Sequence, residues 1–185
     1  PIGIAHTPYP EKFSIPRQPG LVNSDDSYIE LIGPYNREEI VRGLEDFSHL
    51  WLSFVFHKAI RDDWKPMVRP PRLGGNKKVG VFASRSPFRP NPLGLSVVKL
   101  NHIEWHQSSN ATTNINSHQS VCRLHISGAD LLDQTPILDI KPYLPYADSI
   151  ADAQGGYAHT EPNEIANVIF SPLAKSALSP TTSNG

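Results

Sequence analysis

The sequence predicts a mainly β domain, a compact barrel or sandwich, on three observations. Seven short segments rich in β-branched, aromatic or leucine residues are separated by glycine, proline, asparagine or aspartate. A single stretch carries helical periodicity. No strand–helix–strand unit of the dinucleotide-binding kind occurs, which argues against a Rossmann-like sheet.

The expected strands are residues 2–4, 28–32, 51–57, 79–83, 95–103, 121–127 and 137–140. The expected helix covers residues 37–47, with Asn36 as its cap and Glu39 as the reciprocal member of a capping box. Ile40, Leu44 and Phe47 would then share one face and cover a barrel mouth or sheet. Residues 51–57 carry large groups at both alternating sets of positions, so that strand is expected to be buried on both sides. The polar run 107–119 reads as an extended hairpin tip. The expected organisation is a barrel domain over residues 1–150, a C-terminal extension over 151–170 and a disordered Ser/Pro/Thr-rich tail over 171–185.

Composition narrows the class. A hydrophobic fraction of 38% and a charged fraction of 19% are globular values for one domain of 185 residues. The lone cysteine, Cys122, leaves no internal disulfide framework and points to a reducing, cytoplasmic setting. No apolar run reaches the length of a membrane span, and no histidine pair stands beside cysteine at metal-site spacing, so neither membrane nor metal is expected.

The formal net charge of −1 conceals a segregation: residues 61–90 carry +6 and the rest of the chain −7. Such a stretch draws polyanions to one face. Arg69, Arg72, Lys77, Lys78 and Arg89 are its candidate RNA contacts; the plainer reading is a solvated basic loop. Many of the 18 prolines fall in residues 66–92, and proline lowers the entropy lost when a loop orders, which suits presentation of arginines.

The strongest local motif is Gly80-Val81-Phe82-Ala83-Ser84-Arg85-Ser86-Pro87-Phe88-Arg89-Pro90-Asn91-Pro92-Leu93-Gly94-Leu95-Ser96. Two arginines on a proline-rich turn suit recognition of carboxylate or phosphate. Equally, they suit tying a barrel end to its own backbone carbonyls.

This motif resembles the signature of the TsaA-like, or TrmO, family. Pro16-Arg17-Gln18-Pro19-Gly20, Phe47-Ser48-His49-Leu50-Trp51 with Phe54-Val55-Phe56-His57, and Asp133-Gln134-Thr135-Pro136-Ile137-Leu138-Asp139-Ile140-Lys141-Pro142-Tyr143 resemble three further family motifs, in order and at compatible spacing. The resemblance implies a small β-barrel with one or two short helices, paired as a homodimer, that binds S-adenosylmethionine. It implies methylation of N6 of N6-threonylcarbamoyladenosine at position 37 of a threonine tRNA. Cofactor contacts carry over to Pro16, Arg17, Gln18, His57, Lys58, Arg85, Leu95, Asp133, Gln134, Thr135 and Pro136.

The acceptor nitrogen implied by the family is urea-like, so a general base would help its attack. Asp133, Asp139 and His57 are the candidates. Lys141 is a candidate contact to tRNA phosphate or a brace for the dimer. Gln134 stands where the family has glycine, at a cost of about 1 kcal/mol if the backbone there has positive φ. The alternatives are a non-catalytic barrel that binds S-adenosylmethionine or RNA, and a methyltransferase of the same fold with another RNA or a small molecule as substrate.

Overall fold

Strand-forming segments with one apolar face bury it by closing on themselves, and this chain does so. The computed structural model describes residues 1–22, 26–107, 120–160, 169–172 and 174. The wall is formed by β1 (Gly3–His6), β2 (Ser27–Leu31), β3 (His49–Val55), β6 (Leu93–Gln107), β7 (Ser120–Ser127) and β8 (Thr135–Pro142). Every neighbouring pair is antiparallel, and the order β1-β2-β7-β6-β3-β8 closes when β8 pairs with β1. Between β3 and β6, β4 (Met67–Val68) and β5 (Val79–Gly80) form a separate two-stranded ribbon.

Alternation decides which side chains fill the interior. Ile29, Leu31, Leu50, Leu52, Phe54, Val98, Leu100, Cys122, Leu124, Ile126 and Ile137 point inward and are almost wholly buried. Each large apolar side chain removed from water this way contributes about 1.5–3 kcal/mol before entropy is counted. On β3 the intervening Trp51, Ser53 and Val55 lie on the outer wall and keep partial exposure. The expectation of burial on both sides therefore fails, because a barrel has only one inside.

The buried polar residues are not scattered. Ser27, Ser96, Ser127 and Thr135 are the buried hydroxyls, and they come from the start of β2, the first part of β6, the end of β7 and the start of β8. Antiparallel pairing brings all four to one mouth of the barrel. Residues 7–22, 56–66, 81–92 and 128–134 lie on the connections at that mouth. The connection 32–48 belongs to the opposite one.

Two expected elements are shorter than their pattern. The helix over residues 37–47 is reduced to α1 (Glu38–Val41), and Gly43, at φ 81°, separates it from a 3-10 turn at Leu44–Asp46. Asn36 does not cap it. Its Nδ2 donates to the Ser120 carbonyl at 2.8 Å and its Oδ1 accepts from the Cys122 amide at 2.8 Å, satisfying backbone at the start of β7. Ile40 consequently faces solvent, while Val41 is buried and Leu44 and Phe47 pack against the core. The strand expected over 79–83 stops at Gly80, where Val81–Ala83 turn as a 3-10 element and the Val81 amide donates to the Pro66 carbonyl at 2.9 Å.

A second short helix, α2 (Pro145–Asp148), follows β8. The chain divides into two compact units, Pro1–Ala151 and Asp152–Gly185. Most of the expected hairpin tip, residues 108–119, and most of the expected tail over 171–185 lie outside the described residues. Among the described residues no helix is long and apolar enough to cross a membrane.

Candidate active site

The hydroxyl-lined mouth is where the matched motifs meet. Residues 16–18 lie on the connection leaving β1, and the Gly20 amide donates to the Gly128 carbonyl beyond β7 at 2.9 Å. Gly128 has φ +78°, a conformation L side chains rarely adopt, and a Cβ there would lie 3.4 Å from the Gly20 backbone. The first motif is thus stapled to the β7–β8 connection.

The same connection is sewn to β1. The Thr7 amide donates to Asp133 Oδ1 at 3.1 Å, Thr7 Oγ1 donates to the Leu131 carbonyl at 2.9 Å, and the Asp133 amide donates to the Tyr9 carbonyl at 2.9 Å. Gln134 does adopt positive φ, 63°. Its side-chain amide donates to Asp133 Oδ2 at 3.4 Å and meets His6 Nδ1 at 3.3 Å. Buried Thr135 closes the turn by donating to the Leu132 carbonyl at 2.7 Å, and Pro136 pairs with Ile4 in the wall. Asp133 therefore holds backbone in place at the mouth.

His57 and Lys58 follow β3. The Phe56 amide donates to the Pro92 carbonyl and the His57 amide to the Val55 carbonyl, both at 2.8 Å. Burial lowers the His57 pKa, with the neighbouring Lys58 charge acting the same way, so the imidazole is uncharged at neutral pH. Its Nε2 is buried with no hydrogen-bond partner among the described residues, and so is Oε1 of Gln18. An unsatisfied buried polar atom costs about 1–3 kcal/mol. Two of them at one mouth fit a site completed by a polar ligand or water.

The arginine turn is braced internally. Ser84 Oγ donates to the Val81 carbonyl at 2.8 Å, and the Ser86 and Phe88 amides donate to the hydroxyls of Ser84 and Ser86. Arg89 Nη1 donates to the carbonyls of Ser84 at 2.8 Å and Val81 at 3.3 Å. Arg85 is exposed and makes no hydrogen bond or ion pair among the described residues. The two arginines of this motif thus differ: Arg89 ties the turn, and Arg85 does not.

One residue at this mouth escapes a motif-based reading. Asp130 accepts a hydrogen bond from buried Ser96 Oγ at 2.6 Å. Burial pushes its pKa up; Ser96, its own backbone amide and the positive charge of Arg85 pull the other way. The signal in the sequence was the spacing of two aspartates in Asp130-Leu131-Leu132-Asp133, just ahead of the recognised motif.

Three expected site residues lie elsewhere. Asp139, Leu95 and Lys141 are on the outer wall, where with Trp51, Ser53 and Asp148 they line a depression of about 290 Å³. Asp148 is held below the usual carboxylate range by the Leu144 amide and the Trp51 side chain. A single chain does not bring Asp139 together with Asp133, since one projects from mid-strand and the other precedes it. Arg69, Arg72, Lys77 and Lys78 are exposed on the ribbon of β4 and β5 and its connecting turn. At its base Arg61 lies over the Phe88 ring, 4.1 Å from the centroid.

The chain is similar to known proteins in sequence and in fold. Over 169 residues the chain is 51% identical to the tRNA (adenine(37)-N6)-methyltransferase of Escherichia coli K12, covering 91% of this chain and 67% of that one. It is 36% identical over 148 residues to a Pyrococcus abyssi protein named "Probable S-adenosyl-L-methionine-binding protein", covering 80% of this chain and 68% of that one. The crystal structure of TrmO from Pseudomonas aeruginosa superposes with a TM-score of 0.65 at 40% identity, covering 88% of this chain and 63% of that one. The chain thus spans about two thirds of the length of these relatives. Residues 4–149 match the model of the tRNA-methyltransferase O N-terminal domain, TrmO_N, and the chain belongs to that family.

Proposed function

We propose that the chain is an S-adenosylmethionine-dependent methyltransferase acting on tRNA, with N6 of N6-threonylcarbamoyladenosine at position 37 of threonine tRNA as the acceptor. The observation that carries the reading is the pair of unsatisfied buried atoms, Gln18 Oε1 and His57 Nε2, at two positions that match the family's cofactor contacts. The names of the E. coli and Pyrococcus relatives support the reaction and the cofactor respectively.

Pro16, Arg17, Gln18, His57, Lys58, Arg85 and the turn from Asp133 to Pro136 would hold the cofactor, with Leu95 as a further candidate. S-adenosylmethionine supplies an electrophilic methyl group on a sulfonium when bound. The protein's part is to align the acceptor nitrogen, exclude water and take up the N6 proton. We assign the last task to His57, whose imidazole is uncharged at neutral pH and whose Nε2 is unengaged. Asp133 is engaged with the Thr7 amide and the Gln134 side chain and serves to hold the turn. Asp139 would take part only from the outer wall.

The basic ribbon, through Arg69, Arg72, Lys77 and Lys78, supplies phosphate contacts, while Arg89 braces the turn behind it. A homodimer is supported by apolar side chains left exposed on the outer wall, Leu93 at 50% and Leu95 at 53%, and in the turn that precedes β6, Phe82 at 78%. The working setting is the cytoplasm, where the tRNA is.

Calorimetric titration with S-adenosylmethionine, followed by transfer of labelled methyl to threonylcarbamoylated tRNA and nucleoside mass analysis, tests the reading. Expected are cofactor binding, label on N6, and in His57→Asn a loss of transfer well beyond whatever weakening of cofactor binding accompanies the loss of that contact. Binding without transfer would instead identify a non-catalytic module.

A further inference from the structure

We propose that Asp130 and Arg85 together read the amino-acid headgroup of the methyl donor, Asp130 accepting from its α-ammonium and Arg85 donating to its α-carboxylate. The inference rests on the proposed use of S-adenosylmethionine and adds a residue that the family motifs do not assign.

Asp130 lies in the β7–β8 connection, three residues before Asp133, at the mouth ringed by Ser27, Ser96, Ser127 and Thr135. Ser96 Oγ, 2% exposed as a residue, donates to Oδ1 at 2.6 Å, a short charge-assisted distance that fixes the carboxylate. The other oxygen has no side-chain partner among the described residues. Arg85 stands close enough for its charge to act on Asp130, yet forms no ion pair with it, so each retains capacity toward a third group. An α-amino acid offers opposite charges on adjacent atoms, and a neighbouring carboxylate and guanidinium complement both at once.

A part-buried carboxylate without a full salt bridge is a poor stabiliser, which favours retention for binding. Its pKa is raised in the folded protein, so the native state holds the proton more readily than the unfolded chain. Stability from this group is therefore fully present below the unfolded pKa and lost as pH rises through the folded one. Asp130→Asn keeps an acceptor for Ser96 and removes the charge, so its melting temperature at neutral pH should equal or exceed the parent's.

The test titrates the parent, Asp130→Asn and Ser96→Ala with S-adenosylmethionine, S-adenosylhomocysteine and 5′-methylthioadenosine, which lacks the headgroup. Asp130→Asn should weaken the first two by at least about tenfold each, the factor for one charge-assisted hydrogen bond, and leave 5′-methylthioadenosine unchanged from the parent. Ser96→Ala should give the same pattern at smaller size. Equal weakening of all three ligands, loss confined to the sulfonium compound, or no loss at all would overturn the headgroup assignment. Failure of the parent to bind S-adenosylmethionine would instead overturn the proposed function on which it rests.

Discussion

Gly94→Ala tests the packing that holds the candidate site in place. Gly94 in β6 sits opposite Phe54 in β3, and a Cβ at residue 94 would lie 2.2 Å from both Cε2 and Cζ of that ring. Unstrained carbons stay about 3.5–4.0 Å apart, so the ring must retreat by more than about 1 Å. It has little room to do so. Phe54 is 4% exposed and packs edge-to-face on Phe56 with centroids 5.2 Å apart. Overpacking of this kind costs about 1–3 kcal/mol, and complete ejection of the ring approaches the roughly 3–5 kcal/mol of deleting it. Alanine recovers about 0.4–1 kcal/mol through the unfolded chain, too little to change the sign.

The expected net loss is about 2–4 kcal/mol, a fall in melting temperature of roughly 5–15 °C for a chain of this size. Circular dichroism during thermal and urea unfolding measures both quantities. Phe54→Leu in the same chain should recover part of the loss, because the clash needs both partners. A Gly94→Ala protein within about 0.5 kcal/mol of the parent would refute the reasoning, since that is the range of an inconsequential surface change.

Further outcomes follow from single residues. Gln134→Gly removes a left-handed side-chain strain larger than glycine's entropic cost and should raise stability by about 0.5–1 kcal/mol; a lower urea midpoint would mean that the Gln134 hydrogen bonds to His6 and Asp133 outweigh the strain. Burial pushes the Cys122 thiol up to about 11, so an aromatic disulfide reagent at pH 8 should label it only in urea. Rapid labelling of the folded protein would contradict that burial. Replacing Lys77 and Lys78 by glutamine should weaken tRNA binding and flatten its salt dependence by about one unit of log–log slope for each phosphate no longer neutralised. An unchanged slope would remove the ribbon from the RNA surface.

Local pattern was enough for the class of the molecule. Short runs rich in β-branched, aromatic and leucine residues, broken by glycine, proline, asparagine or aspartate, mark strands without reference to any partner, although the large groups at Trp51 and Val55 hid which face of β3 would lie outside. The motif around Arg85 and the aspartate-led turn were legible because each is contiguous and chemically specific. Closure and register are not local quantities, and the rest depended on them. Asn36 looked like a helix cap but is drawn to the backbone of β7, 84 positions away at Ser120, leaving α1 a single turn. Arg85 and Arg89 look equivalent in sequence, yet the folded turn consumes one guanidinium and spares the other. Asp139 and Asp133 share a motif but not a place, because a strand residue projects from the wall whereas the residue preceding the strand remains at the mouth. Asp130 meets Ser96 only when pairing of β6 with β7 brings that hydroxyl to it from 34 residues away, an approach that no sequence period encodes.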